Sequence, residues 1–421
     1  MRVSQFLECR SCGEKIEFKP ETVCPTCFSP LEVVYDYETL RKTLRRSDIE
    51  GRPGTMWRYH ELLPEVPGGI PDTPVGWTPL IRARRLGEAL NMPNLYIKND
   101  GVNFPSLSFK DRVVSVALAK AIDFGFRTIG CASTGNLANA VGAQASMLGL
   151  KSIILVPQGL EQQKILASVC YNTQVIKVAG SYDDVNRLCT ELAYREEIGI
   201  VNVNLRPFYA EGSKTVGFEI AEQLGWKLPD QVVVPMAGGS LISKVGKAFR
   251  ELVQVGLVEE KPAGLFGAQA TGCAPISTFV KTGAEELVPV KPDTIVKSLA
   301  IGAPADGRRA ADNIRQSGGW AEDVSDEETV EAIALLAETE GVFTETAGGV
   351  TVAVAGKLLK QGRLDRRALT VLCVTGNGLK TADLMEYKAA NLAVIEPKYS
   401  AYQAYVNSQQ KEEKEHYVSA C

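Results

Sequence analysis

Lys110 stands in "FPSLSFKDR", just ahead of an apolar helical pattern, "RVVSVALAKA". An amine at the mouth of such a helix, turned inward and desolvated, can form a Schiff base with a carbonyl. A solvated Lys-Asp-Arg triplet in a first helical turn has the same composition, so Lys110 alone does not decide. Three other stretches follow short apolar runs in the same way. In "CASTGNLANA", Ser133, Thr134, Gly135 and Asn136 offer hydroxyls and helix amides to an anion such as a carboxylate. The same four residues would also make an ordinary helix cap. In "VVVPMAGGSLISK", Met236, Ala237, Gly238, Gly239 and Ser240 let main-chain N–H groups approach a phosphate, or form a plain turn. In "LCVTGNGLKT", Thr375 sets a hydroxyl at the end of an apolar run, before Gly376, Asn377 and Gly378.

Other chemistries are excluded by motif or inventory. The 236–240 loop lacks the Gly-Lys-Ser/Thr ending of a P-loop, and Ile242 stands where a Gly-x-Ser-x-Gly nucleophile turn needs glycine. The dinucleotide fingerprint is absent. Only two histidines occur, His60 and His416, which leaves no stock for His-based triads or His-rich metal sites. An amine, an anion cradle, a phosphate cradle and a hydroxyl together suit one ligand. Pyridoxal 5'-phosphate takes a lysine on its aldehyde, amides on its phosphate and a partner on its ring nitrogen, and its amino-acid substrate needs a carboxylate site.

The elements that position these loops are legible as well. From residue 78 the chain alternates short apolar strands ("NLYIKND", "TIGCAS", "SIILVP", "TQVIKVAG", "QVVVPMA", "GLFGAQA", "LTVLCV") with amphipathic helices. That alternation predicts two parallel sheets covered by helices, with ligands beyond the C-terminal ends of the strands. Residues 41–75 are charged and then rich in Pro and Gly, an irregular connection wrapped on the body. Residues 1–40 differ: Cys9-x-x-Cys12 and Cys24-x-x-Cys27 are spaced for a four-thiolate zinc ribbon. A ribbon can bind partners or staple a small fold, and the few basic residues here favour the staple. The expected organisation is therefore a ribbon (1–40), a connection with the start of a large domain (41–97), a smaller α/β domain (98–205), a large α/β domain (206–400) and a polar tail (401–421). With 46 basic and 50 acidic residues the chain has no basic excess for nucleic acid. No apolar leader or membrane-length run is present, so a soluble cytoplasmic protein that takes a small-molecule substrate is expected.

The motifs "SFKDR", "ASTGN", "EGSKT" and "TGNGLK", in this order and behind a four-cysteine segment, resemble the threonine synthases, within the fold-type-II pyridoxal-phosphate enzymes. The resemblance runs from residue 75 to about residue 390. It implies that Lys110 holds the cofactor and shuttles protons, that Asn136 meets the cofactor's ring oxygen, and that Ser133, Thr134 and Gly135 hold the substrate carboxylate. It also implies that Met236 to Ser240 bind the cofactor phosphate and that Thr375 meets the pyridine nitrogen. Arg206 and Lys214, flanking "AEG", become candidates for the substrate's phosphate. The implied reaction is a lyase step in threonine biosynthesis, from O-phosphohomoserine and water to L-threonine and phosphate, in a homodimer.

The chain departs from that pattern in several places. Leu137 and Ala138 replace Thr-Ser after "STGN". Ala237-Gly238-Gly239-Ser240-Leu241 replaces Gly-Asn-Ala-Gly-Asn, and "NLRPFYAEGSKT" is longer than Asn-Pro-x-Arg-x-Glu-Gly-Gln-Lys-Thr. Cofactor-facing positions are kept where substrate-facing ones vary. Action on O-phosphoserine in the manner of cysteate synthase, a hydroxy-amino-acid dehydratase, and a non-catalytic regulator stay open as alternatives.

Overall fold

The computed structural model describes residues 5–133, 135–159, 166, 168–389 and 392–408. Thr134 and the end of the polar tail, with His416 and Cys421, lie outside the described residues. The chain divides into two compact units, residues 1–380 and 381–421. The described part of the second unit holds a short helix, Glu386–Ala389, and a helical stretch over 399–408.

The first unit contains three sheets. The strands, in chain order, are β1 (Gln5–Cys9), β2 (Lys15–Ile16), β3 (Leu31–Tyr35), β4 (Leu80–Arg82), β5 (Leu95–Asn99), β6 (Thr128–Ala132) and β7 (Lys151–Pro157). They continue with β8 (Gln174–Val178), β9 (Ile198–Ile200), β10 (Gln231–Pro235), β11 (Gly264–Ala270), β12 (Ala321–Val324) and β13 (Thr370–Val374). The largest sheet has the order β12-β11-β10-β13-β5-β4 and is parallel except for the β4–β5 pair at its edge. The second, β8-β7-β6-β9, is parallel throughout. All five residues of β10 and all five of β13 are buried. Such strands need no polar alternate positions because helices cover both faces, which is why they read as unbroken apolar runs. The fold is that of a two-sheet α/β enzyme preceded by a small antiparallel β2-β1-β3 sheet.

That small sheet is no separate bead. Leu7, Leu31, Val33 and Tyr35 belong to the same buried cluster as Phe208, Val232 and Leu252 of the α/β body. Polar contacts reinforce the join: Tyr35 Oη donates to Glu211 Oε2 at 2.7 Å and Lys244 Nζ to Glu32 Oε1 at 2.7 Å. The connection after it is more ordered than its composition suggests. It forms short helices over Tyr37–Thr43 and Arg46–Glu50 and a 3-10 turn over Met56–Leu62, with Met56, Trp57, Arg58 and Tyr59 buried.

Candidate active site

Adjacent strands of a sheet lie about 4.8 Å apart, so the neighbours β10, β13 and β5 bring three loops together at their C-terminal ends. The loop after β5 leads to Lys110, the loop after β13 begins at Thr375, and the loop after β10 is Met236 to Gly239.

The Lys110 loop is pinned by its main chain. Phe109 N donates to Thr375 O at 2.9 Å, Asn377 N donates to Leu107 O at 3.2 Å, and Ser108 forms a bridge with Gly376. Asp111 ties the same loop from inside, accepting from Ser106 N at 3.1 Å, Ser106 Oγ at 2.7 Å and Ser108 N at 3.3 Å. Burial outweighs those bonds and pushes the Asp111 carboxyl up to about 6. Lys110 opens the helix Lys110–Asp123, half-buried, with Nζ 3.2 Å from Tyr209 Oη.

Beneath it lies a buried ionic cluster. The Arg112 guanidinium spans Asp100 (2.7 Å to Oδ2) and Glu219, while Lys98 Nζ lies 2.6 Å from Glu219 Oε2. Against the pull of burial, the Arg112 and Lys98 charges hold the Glu219 carboxyl down at about 2. The cluster locks β5 to the helices that follow Lys110 and Ser213.

Asn136 starts the helix Asn136–Met147, and its side chain is fixed on both ends. Nδ2 donates to Glu345 Oε1 and Oε2, each at 2.9 Å, and Oδ1 accepts from Lys380 Nζ at 2.6 Å. Lys380 also donates to Ser106 O. Glu345 is buried at the start of the helix Thr346–Lys360. Burial raises its carboxyl above the usual range, although the bond from Asn136 and the charges of Lys380 and Lys110 pull the other way. Gly376 is required beside it, since a Cβ there would lie 2.2 Å from Glu345 Oε1. Ser133 lies close by, its Oγ accepting from Gly135 N at 3.4 Å; Gly135 is exposed.

The loop after β10 reaches the helix Ser240–Gln254 through Gly239, at φ +89°, a left-handed backbone that favours glycine. A Cβ on Gly239 would lie 2.9 Å from both Ala310 Cβ and Asp306 O. A glycine turn at the N-terminus of a long helix is an anion cradle in its geometry and partial charge. The residues fit pyridoxal phosphate on these grounds: a half-buried amine, a glycine cradle two strands away, and a hydroxyl at Thr375 between them.

Lys214 stands elsewhere. Its ammonium is fully buried, 2.6 Å from Glu211 Oε2, 2.8 Å from Glu251 Oε2 and 4.0 Å from the centre of the Tyr35 ring. This departs from the expectation that it meets a substrate phosphate, because its donors are already taken up out of solvent. The "EGSKT" stretch is a packing device. Glu211 joins the ribbon's Tyr35 to Lys244 and Lys247, and a Cβ on Gly212 would lie 2.5 Å from Arg112 O. Arg206 does stay accessible, with Nη2 3.3 Å from Asp306 Oδ2.

Sequence reasoning gave no role to Glu345, Lys380 or Tyr209. Lys380 closes the "TGNGLK" motif and Glu345 is a charge set before a glycine-rich apolar helix, which are the available signals. At the ribbon, the sulfurs of Cys9, Cys12, Cys24 and Cys27 all lie within 4.8 Å of one another. Four thiolates at a Zn–S distance of about 2.3 Å have edges of about 3.8 Å, and the Cys12–Cys24 pair stands at 3.7 Å. No helix among the described residues is long and apolar enough to cross a membrane.

A fold and a lysine-centred site of this kind define a class. A family model described as pyridoxal-phosphate dependent enzyme matches residues 72–376, and the chain belongs to that family. Within it the chain is similar to proteins named threonine synthase. That of Methanocaldococcus jannaschii is 38% identical over 378 residues, 89% of this chain and 93% of the relative. That of a Bacillus species is 36% identical over 339 residues, 79% of this chain and 91% of the relative. Among solved structures, a fungal L-serine ammonia-lyase from Rhizomucor miehei superposes with a TM-score of 0.63 at 23% identity, covering 75% of this chain and 98% of that one. The processed form of threonine deaminase isoform 2 from Solanum lycopersicum gives 0.61 at 20% identity, over 75% and 84%. At those identities the likeness concerns the fold.

Proposed function

We propose that this chain converts O-phosphohomoserine and water to L-threonine and phosphate. The observation that carries the reading is the likeness to a threonine synthase over 89% of the chain, in a protein whose Lys110 loop and glycine cradle share one sheet end. Lys110 would hold the cofactor aldehyde, the amides from Met236 to Ser240 its phosphate, Asn136 its ring oxygen and Thr375 its pyridine nitrogen. When bound, pyridoxal phosphate supplies an electron sink for charge developing on the substrate's carbons.

The chain's own residues do the rest. Ser133 and Gly135, at the positive end of the Asn136 helix, receive the substrate carboxylate, with Thr134 assigned to the same role by its place in the motif. The Lys110 amine takes protons from Cα and Cβ and delivers protons to Cγ and back to Cα, and Tyr209 Oη, 3.2 Å away, holds it in position between transfers. Arg206 precedes Tyr209 by three residues on the helix Arg206–Glu211, which puts both on one side, so its guanidinium is the candidate for the leaving phosphate. Phosphate leaves Cγ and water adds at Cβ. Cys9, Cys12, Cys24 and Cys27 hold structural zinc, and the active form is a homodimer.

The test is a substrate panel, with phosphate release and amino-acid products measured together. Threonine from O-phosphohomoserine is expected. Turnover of O-phosphoserine alone would move the assignment to β-replacement, and Leu137 in place of a hydroxyl is the first residue to examine in that event. Sedimentation of the purified protein checks the dimer.

A further inference from the structure

The ribbon and the cofactor cradle share one aspartate. Arg10 lies inside the first cysteine knuckle, between Cys9 and Cys12, and its Nη1 stands 3.1 Å from Asp306 Oδ1. The second oxygen of Asp306 meets Arg206 Nη2 at 3.3 Å. The main chain of Asp306 forms the floor of the glycine loop: its N donates to Gly238 O at 3.1 Å, and its O packs where a Gly239 side chain would have to go. A carboxylate seated there opposes a phosphate dianion unless it is neutralised. Two guanidiniums neutralise it, and one of them belongs to the ribbon.

The path back to the metal site is short. Arg10 is fixed by its own N on Pro30 O at 3.3 Å and by Nε on Glu32 Oε2 at 3.5 Å, both within the ribbon. Four thiols brought within 4.8 Å gain their fixed geometry from a metal, and Arg10, adjacent to Cys9, takes its register from that knuckle as well as from Pro30 and Glu32.

We infer that Arg10 and Asp306 are positioning residues for the cofactor's phosphate, so that metal in the ribbon tightens pyridoxal-phosphate binding at a loop it does not touch. This rests on reading residues 236–240 as the phosphate cradle. Coupling between two sites is reciprocal and typically changes affinity 5- to 150-fold.

The experiment measures dissociation constants of pyridoxal phosphate and of pyridoxal, which lacks the phosphate, for the full chain by visible absorbance. Wild type, Arg10→Gln and Asp306→Asn are compared, each metal-loaded and after chelation. In the loaded wild type pyridoxal phosphate is expected to bind far more tightly than pyridoxal. In Arg10→Gln that preference is expected to fall about tenfold, with pyridoxal affinity and melting temperature held. Chelation should lower the preference in wild type by a similar factor and add little in Arg10→Gln. An unchanged preference in both variants overturns the inference, as does an equal loss for both ligands, which would mean general loosening. Equal affinities in loaded wild type would remove the cradle reading itself, a failure distinguishable from the first two.

Discussion

Tyr209 Oη lies 3.2 Å from Lys110 Nζ, and the two residues reach each other from separate helices. The hydroxyl orients an amine that has no other hydrogen-bond partner on its side chain among the described contacts. Removing it should cost positioning and leave cofactor attachment intact. Tyr209→Phe is expected to lower turnover about tenfold, or ~1.4 kcal/mol, with the visible cofactor band unchanged. Lys110→Ala should abolish that band. Absorbance and steady-state rates on the two variants separate the roles.

Glu345 and Gly376 form a second test. Glu345→Ala leaves the half-buried Asn136 amide without its acceptor, at a cost of about 1 kcal/mol. Gly376→Ala drives a methyl into the same carboxylate, and overpacking of this kind costs about 1–3 kcal/mol. Both should lower the urea midpoint and shift the position of the bound cofactor's absorption.

Lys214→Met should act on stability. Breaking a buried ion pair typically costs about 3–5 kcal/mol, and Glu211 and Glu251 would each lose a partner. The expected signature is a lower melting temperature with KM for O-phosphohomoserine unchanged. A raised KM at unaltered stability would return Lys214 to the substrate.

Asp111 gives a pH dependence of defined sign. Its carboxyl is raised by burial to about 6 from an ordinary value of 3.8. The proton it keeps therefore stabilises the fold below pH 3.8, and that contribution is lost as pH rises through about 6. The Lys380 charge faces the same group and pulls against the effect of burial. Relative to Asp111→Asn, wild type should gain about 2 kcal/mol of unfolding free energy at pH 4.5 over pH 7. Urea titrations at the two pH values read the difference.

Cys9→Ser should remove stoichiometric zinc and lower the melting temperature. At saturating pyridoxal phosphate the visible band should still form, because Lys110 is untouched. Metal analysis beside a spectrum checks both halves.

Much of this was legible in the residues. β10 and β13 announce themselves as apolar runs closed by glycine and threonine, and the four loops stand out because glycine and hydroxyl residues interrupt strong periodicity. The partners of those loops were not legible. Asn136 and Glu345 are 209 positions apart, and nothing local marks either as the other's neighbour. Lys214 shows the converse, since a lysine in a motif reads alike whether its ammonium meets a ligand or is sealed among carboxylates. The join between ribbon and body escaped for a similar reason: Leu7 and Val33 look like the small core of an independent module until the sheet is seen packed on Phe208.

The strand order has a consequence for how the large sheet assembles. β13, the last strand in chain order among the described residues, takes the slot between β10 and β5, which lie far earlier in the sequence. Without β13 the β12-β11-β10 half of the sheet has no strand to join it to β5 and β4. The large sheet therefore closes only through long-range pairing at one strand, the kind of closure that slows folding more than any local turn does.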